Sequence, residues 1–177
     1  MKPQQFLFGG IEALHFLIKA TIQSGEKVLI NGAYGSIGTV AVQFAKYLGA
    51  EVTGVCSTQN LAMVCAIGAD HIIDYTQKDF TKSDEIYDVI FDVAGKSLFS
   101  SSLKSLNENG RYLLANPGLS QMVRGLWTSL RSKKKVITKT PPGKHEDLIF
   151  LKELIEAGTI KVIIDSYYPL EKTSEAH

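Results

Sequence analysis

A run of aliphatic residues, KVLIN from Lys27 to Asn31, passes through NGAYGSIG into a stretch with helical spacing. Gly32, Gly35 and Gly38 stand at every third position across that junction. Glycine weakens the interior of a strand or a helix, so three of them at a boundary mark a tight turn or a close approach of the backbone to another group. Between a strand and a helix, such a loop also leaves unpaired N–H groups at the helix start, facing whatever lies beyond the strand end. Read as GxGxxG, the positions are Ala33, Gly35 and Gly38, with alanine first. In a dinucleotide site, Gly35 lets the backbone approach a diphosphate and Gly38 lets the helix pack close to the sheet; a bare turn uses the same residues.

Four further β-branched runs follow: EVTGVCS, HIIDY, YDVIFDVA and RYLLAN, with helical stretches between them. Strands rich in Val, Ile and Leu with little alternation require cover on both faces, which is the condition of a parallel sheet. The spacing predicts a helix from Gly38 to Leu48 that buries Val40, Ala41, Phe44, Ala45 and Leu48, ended by Gly49. The fold class is α/β, a doubly wound parallel sheet with helices on both faces and strand order 3-2-1-4-5-6. Its ligand would lie beyond the carboxyl ends of the strands, where NGAYGSIG falls. After Asn116 a mixed helix, a basic RSKKK turn and a short VIT strand are expected, closed by Pro141, Pro142 and Gly143. A last helix from Glu146 to Ala157 carries Leu148, Ile149, Leu151, Leu154 and Ile155 inward, with IKVIID as a further strand.

The 177 residues suit one domain, 1–177, and 19 basic against 18 acidic side chains give no overall field toward nucleic acid or an anionic membrane. Two cysteines and four scattered histidines lack the spacing of a zinc site or a disulfide framework. No apolar run reaches the roughly 18 residues of a membrane span and no signal peptide is legible, so the cytosol is the expected location. At the end of the second strand, VCSTQN offers no acid to repel a 2′-phosphate, while Ser57 and Thr58 offer hydroxyls. That favours NADP(H) over NAD(H); the same residues also suit the cap of the next helix.

Taken together, VLINGAYGSIGTVAVQFAKYLGAEVTGVCSTQN, IGADHIIDYTQKDF and YDVIFDVAG resemble the cofactor domain of the medium-chain dehydrogenase/reductase family, in its zinc-independent quinone oxidoreductase branch. The resemblance begins at FGGIEALHFL and runs through nearly the whole chain. It implies a Rossmann domain without the β-rich catalytic domain that accompanies it in the family, and hydride transfer from NADP(H) to a quinone or an activated alkene or carbonyl. No zinc is implied. The family's diphosphate loop falls on Ala33, Gly35, Ser36, Ile37 and Gly38, and its 2′-phosphate contacts on Ser57, Asn60 and Tyr75, the last of which also reads as an aromatic closing a strand. Val93 to Gly95 would flank the adenosine, and Asn116 to Gly118 would approach the nicotinamide. Tyr34 and Ser36 replace smaller residues of the family, and Asn60 replaces a lysine found in some members. No catalytic acid, base or nucleophile is assigned, because the family's substrate pocket lies mostly on the other domain.

The resemblance also implies a homodimer in which the Val136–Thr140 edge strand pairs with its twin. Lysines beside an edge strand can equally prevent such pairing. Tyr168 and Lys172 match the spacing of a YxxxK catalytic pair, but Pro169 disfavours a helix at Tyr168. RSKKK has no interleaved aromatics and reads as a solvated turn rather than a nucleic-acid patch. The expected partner is therefore a small molecule, without nucleic acid or membrane. A non-catalytic NADP(H)-binding or sensing module is the alternative function; a methyl transferase would want an acid where VCSTQN stands.

Overall fold

Every strand of the sheet is parallel to its neighbour, and the sheet reverses direction of growth beside its first strand. The computed structural model describes residues 3–95, 99–138 and 145–163, with side chains from residue 8 onward. The strands are β1 (Lys27–Asn31), β2 (Glu51–Cys56), β3 (His71–Asp74), β4 (Tyr87–Asp92), β5 (Leu106–Leu114) and β6 (Lys135–Ile137). Their order is β3-β2-β1-β4-β5-β6, as the sequence pattern predicts. Val28 sits opposite Val52 on one side and Val89 on the other, and Arg111 opposite Lys135. Leu29 and Ile30 point to opposite faces and both are fully buried, which is why these strands lack a polar alternate residue.

On one face Val28, Ile30, Val52, Phe91 and Leu113 pack against α1 (Pro3–Ala20), α2 (Ser36–Tyr47), α3 (Leu61–Ala66) and α6 (His145–Glu156). On the other, Leu29, Val55, Ile90, Tyr112 and Leu114 pack against Phe80 and against Phe99 of α4 (Phe99–Ser102). Helix α5 (Leu119–Arg131) rests against β6, where a Cβ on Gly125 would come within 2.8 Å of Val136.

Helix α1 is an element the pattern reading did not anticipate. It crosses the start of α2 so closely that a Cβ on Gly9 would lie 2.8 Å from the Ser36 carbonyl carbon. Gly10 likewise leaves room for Leu151 of α6, and His15 Nε2 meets Asp147 Oδ2 at 2.7 Å. With α1 on one side and the sheet on the other, α2 is buried from Gly38 to Ala45, including Thr39, Val42 and Gln43. Its polar members find partners: the Thr39 hydroxyl donates to the Gly35 carbonyl, Gln43 Nε2 donates to the carbonyls of Thr39 and Lys161, and Gln43 Oε1 accepts from Lys161 N–H at 2.7 Å.

Several boundaries differ from the expectation. Helix α2 starts at Ser36, two residues before Gly38, because Gly35 takes the extended N-cap conformation. Leu148 and Ile149 are 40% and 44% exposed, since α6 meets the core through Leu151 and Leu154. IKVIID forms no strand through Ile163, where the backbone is instead held by Gln43; its last residues lie outside the described ones. Thr140, Pro141, Pro142, Gly143, Tyr168 and Lys172 also lie outside them.

Candidate functional site

The turn from β1 to α2 is built by two glycines that the fold requires and one that it does not. Gly32 adopts φ +93°, a conformation that disfavours any side chain, and a Cβ there would sit 3.2 Å from the Ala94 amide. At Gly38 a Cβ would fall 2.1 Å from the Gly32 carbonyl oxygen, so glycine is needed for α2 to pack on the turn. Gly35 has ordinary φ −78°, and a Cβ would find only the Gly32 oxygen, 3.8 Å away. Among the described residues nothing demands glycine at 35; a side chain there would fill space in front of the helix start.

That helix start carries amides without intrahelical acceptors at Ser36, Ile37 and Gly38, and no side chain caps them. Ala33 is placed differently from its neighbours in the motif. It is fully buried, and its N–H donates to the Val55 carbonyl at 3.0 Å. Its position is the floor of the turn, beneath the helix start.

At the ends of β2 and β3, Asn60 Nδ2 donates to Ser57 Oγ at 3.0 Å, which leaves the Ser57 hydroxyl proton directed elsewhere. The Thr58 hydroxyl donates to Asp74. Bonds from the hydroxyls of Thr58 and Thr76 hold the Asp74 carboxyl below the usual aspartate range. Burial, and then the charge of Asp74, push the Cys56 thiol up, and its side chain is fully buried. Tyr75 is 54% exposed, with its N–H on the Cys56 carbonyl.

A buried network organises the loops after β1, β4 and β5. Asp92, 1% exposed, accepts from Asn31 Nδ2, the Gly95 N–H and the Tyr112 hydroxyl, each at 2.9 Å. The N–H groups of Val93 and Ala94 in turn donate to the Asn31 carbonyl. Gly95, at φ +66°, lies beside the Asn116 carbonyl, so the loops after β4 and β5 adjoin. The Gly118 N–H donates to Gln121 Oε1 at 2.8 Å, which caps α5. Asn31, Asp92 and Tyr112 were not singled out by sequence reasoning; the available signal was a polar residue closing the aliphatic part of two strands, Asn31 after VLI and Asp92 after VIF.

These ends enclose a cleft of about 550 Å³ lined by Gly32, Tyr34, Val55, Tyr75, Phe80 and Ala94, with Lys78, Lys82 and Lys104 also on its walls. It opens where β1 and β4 diverge in the strand order, the switch point of a doubly wound sheet. Of the candidate residues, Tyr75 lines it directly, while Gly35, Ser57, Asn60, Val93, Gly95 and Asn116 lie on the same carboxyl rim of the sheet, outside its walls. The three lysines are a feature missed by sequence reasoning, which weighed only the charge missing at Asn60. Among the described residues, no group of three His, Cys, Asp or Glu side chains gathers where a metal ion would be held.

The family model described as zinc-binding dehydrogenase matches residues 67–177, more than half of the chain. The chain belongs to that family. Within this dehydrogenase family it falls in the quinone oxidoreductase-like group of medium-chain dehydrogenase/reductases. It is 33% identical over 164 residues to a chloroplast envelope quinone oxidoreductase homolog of Arabidopsis thaliana, covering 86% of this chain and 49% of that protein. A mitochondrial NAD(P)H oxidoreductase of Bos taurus is 33% identical over 175 residues, covering 86% and 44%. Among solved structures, the quinone oxidoreductase from Coxiella burnetii superposes with TM-score 0.84 at 26% identity, over 96% of this chain and 53% of that one. The chain thus spans about half the length of the curated relatives it matches.

Proposed function

We propose that this chain is the cofactor-binding part of an NADP(H)-dependent oxidoreductase that passes hydride to a quinone or an activated alkene or carbonyl. Glycine at position 35 is the observation that carries the reading. Its φ is ordinary and its Cβ would meet no crowding atom among the described residues, so the space it keeps open in front of the α2 amides suits a ligand. An anion suits that position, because the amides of Ser36, Ile37 and Gly38 and the helix dipole all favour negative charge. The diphosphate of a dinucleotide fits both the opening and the adjoining 550 Å³ cleft.

In this reading Ser57, Asn60 and Tyr75 contact the 2′-phosphate, with the cleft lysines supplying the positive charge that Asn60 does not. The loop from Val93 to Gly95, braced by Asp92, flanks the adenosine, and Asn116 to Gly118 approach the nicotinamide. The nicotinamide would supply the transferable hydride; the residues here bind and orient it. The names of the relatives, a quinone oxidoreductase homolog and an NAD(P)H oxidoreductase, support the reaction class. A calorimetric titration of the chain with NADPH and with NADH tests the assignment. NADPH is expected to bind about tenfold tighter, equivalent to about 1.4 kcal/mol. Equal or reversed affinities would overturn the preference for NADP(H).

A homodimer paired along β6 belongs to the same proposal, with one refinement. β6 is the last strand of the sheet, but the Val136 N–H donates to Ser129 Oγ of α5 at 3.0 Å. Pairing with a twin at that residue requires Ser129 to let go.

A further inference from the structure

Helix α5 is amphipathic in the reverse sense for a helix lying on a protein. The side turned to the sheet carries Gly125, buried against Val136, with Gln121, Met122 and Thr128 partly buried beside it. The opposite side carries Leu119, Val123, Leu126, Trp127 and Leu130, which fall within an arc of about 100° at 3.6 residues per turn. All five are exposed, Leu119 at 81%, Leu126 at 64% and Leu130 at 77%. A stripe this regular, turned away from the core, is a binding face rather than scattered surface apolarity.

Charge decides among the occupants. From Leu119 to Lys144 the sequence holds seven basic residues and no acidic one. The rest of the chain therefore holds twelve basic against eighteen acidic, so the near-neutral total conceals a strongly cationic segment on an acidic body. Arg124 and Arg131 project on one border of the apolar arc, and the Arg131 guanidinium lies 4.4 Å from the centre of the Trp127 ring. Lys133 and Lys135 continue exposed from the helix end, Lys133 3.9 Å from Glu108, while Lys134 Nζ turns back to the Leu103 carbonyl at 2.6 Å. Stripe to stripe, a second copy would offer these cations no acidic partner from the same segment, which has none. An apolar face bordered by cations, with a tryptophan at the boundary, matches instead the surface of an anionic bilayer.

We propose that α5 docks this protein on anionic lipid, its Leu/Val/Trp stripe in the acyl boundary and Arg124 and Arg131, with the exposed Lys133 and Lys135 beyond the helix end, against the headgroup phosphates. No described helix is long and apolar enough to cross a membrane, so the attachment is peripheral. The absence of a membrane partner expected from the total charge does not hold under this proposal, because the charge is unevenly distributed. The proposal does not depend on the cofactor.

Trp127 is the only tryptophan in the chain, so its emission reports this face alone. The chain is titrated with vesicles of phosphatidylcholine containing about 30% phosphatidylserine, and with phosphatidylcholine alone. The expected result is a blue shift and co-sedimentation with the anionic vesicles, weakened about tenfold or more by about 0.5 M salt. Leu126→Ser with Leu130→Ser should remove binding about tenfold or more while leaving the circular dichroism unchanged, both side chains being exposed. Should that pair disturb folding, Arg124→Gln with Lys133→Gln carries the same expectation. Unmoved emission with anionic vesicles, or parental binding by the folded variants, would overturn the proposal. So would a concentration-dependent dimer, formed without lipid and abolished by Leu126→Ser with Leu130→Ser, which would assign the stripe to a second copy.

Discussion

Gly35 and Gly38 stand three residues apart in one turn, yet a side chain at each would meet opposite surroundings. At 38 the added carbon collides with the Gly32 oxygen, and neither atom belongs to a flexible side chain. Gly38→Ala is therefore expected to destabilise the fold by about 1–3 kcal/mol or more in urea unfolding, the cost of overpacking. Gly35→Ala should cost much less stability than Gly38→Ala, only the modest loss of a glycine N-cap, while weakening NADPH, because its Cβ obstructs the approach to the amides. A matched loss of stability at both positions would contradict the distinction. Asp92 poses a third test: Asp92→Ala removes the carboxylate that accepts from Asn31 Nδ2, the Gly95 N–H and the Tyr112 hydroxyl, at about 1–3 kcal/mol. That loss should appear in unfolding experiments, and NADPH affinity should fall with it as the two loops relax. Unchanged stability in Asp92→Ala would remove the network from the account.

Among the elements, α1 holds the start of α2 in place and carries a carboxyl in an unfavourable setting. Burial raises the Glu12 pKa above its ordinary 4.5. The folded state then binds the Glu12 proton more tightly than the unfolded state, so this residue's contribution falls as pH rises through the raised value. Glu12→Gln is expected to raise the melting temperature at pH 7, with the difference shrinking toward pH 4. A constant difference across that range would contradict the sign. The α5–β6 pair makes a separate prediction. Ser129→Ala frees the outward N–H of Val136, so sedimentation should show tighter self-association than in the parent; unchanged association would place any dimer contact elsewhere.

For the whole molecule, the strand order was legible because five aliphatic runs without polar alternation leave a parallel, doubly covered sheet as the consistent solution. The β1–α2 turn was legible because glycine spacing is a local property. Helix α1 was missed because its glycines make sense only against α2 and α6, partners distant in sequence. The same limit hid the Asn31–Asp92–Tyr112 network and the cleft lysines, which meet only after β1, β4 and β5 are aligned. The outward stripe of α5 was hidden for a different reason: periodicity shows that a helix has an apolar side, but not which way that side turns.

All of these levels converge on the first turn of α2. Amide resonances of the isotopically labelled chain, followed by NMR during a titration with NADPH, test that convergence most directly. Ser36, Ile37 and Gly38 should show the largest shifts, saturating together with those of Ser57 and Tyr75, while the α5 amides from Leu126 to Leu130 stay in place. Saturable binding that leaves Ser36, Ile37 and Gly38 unmoved would contradict the account.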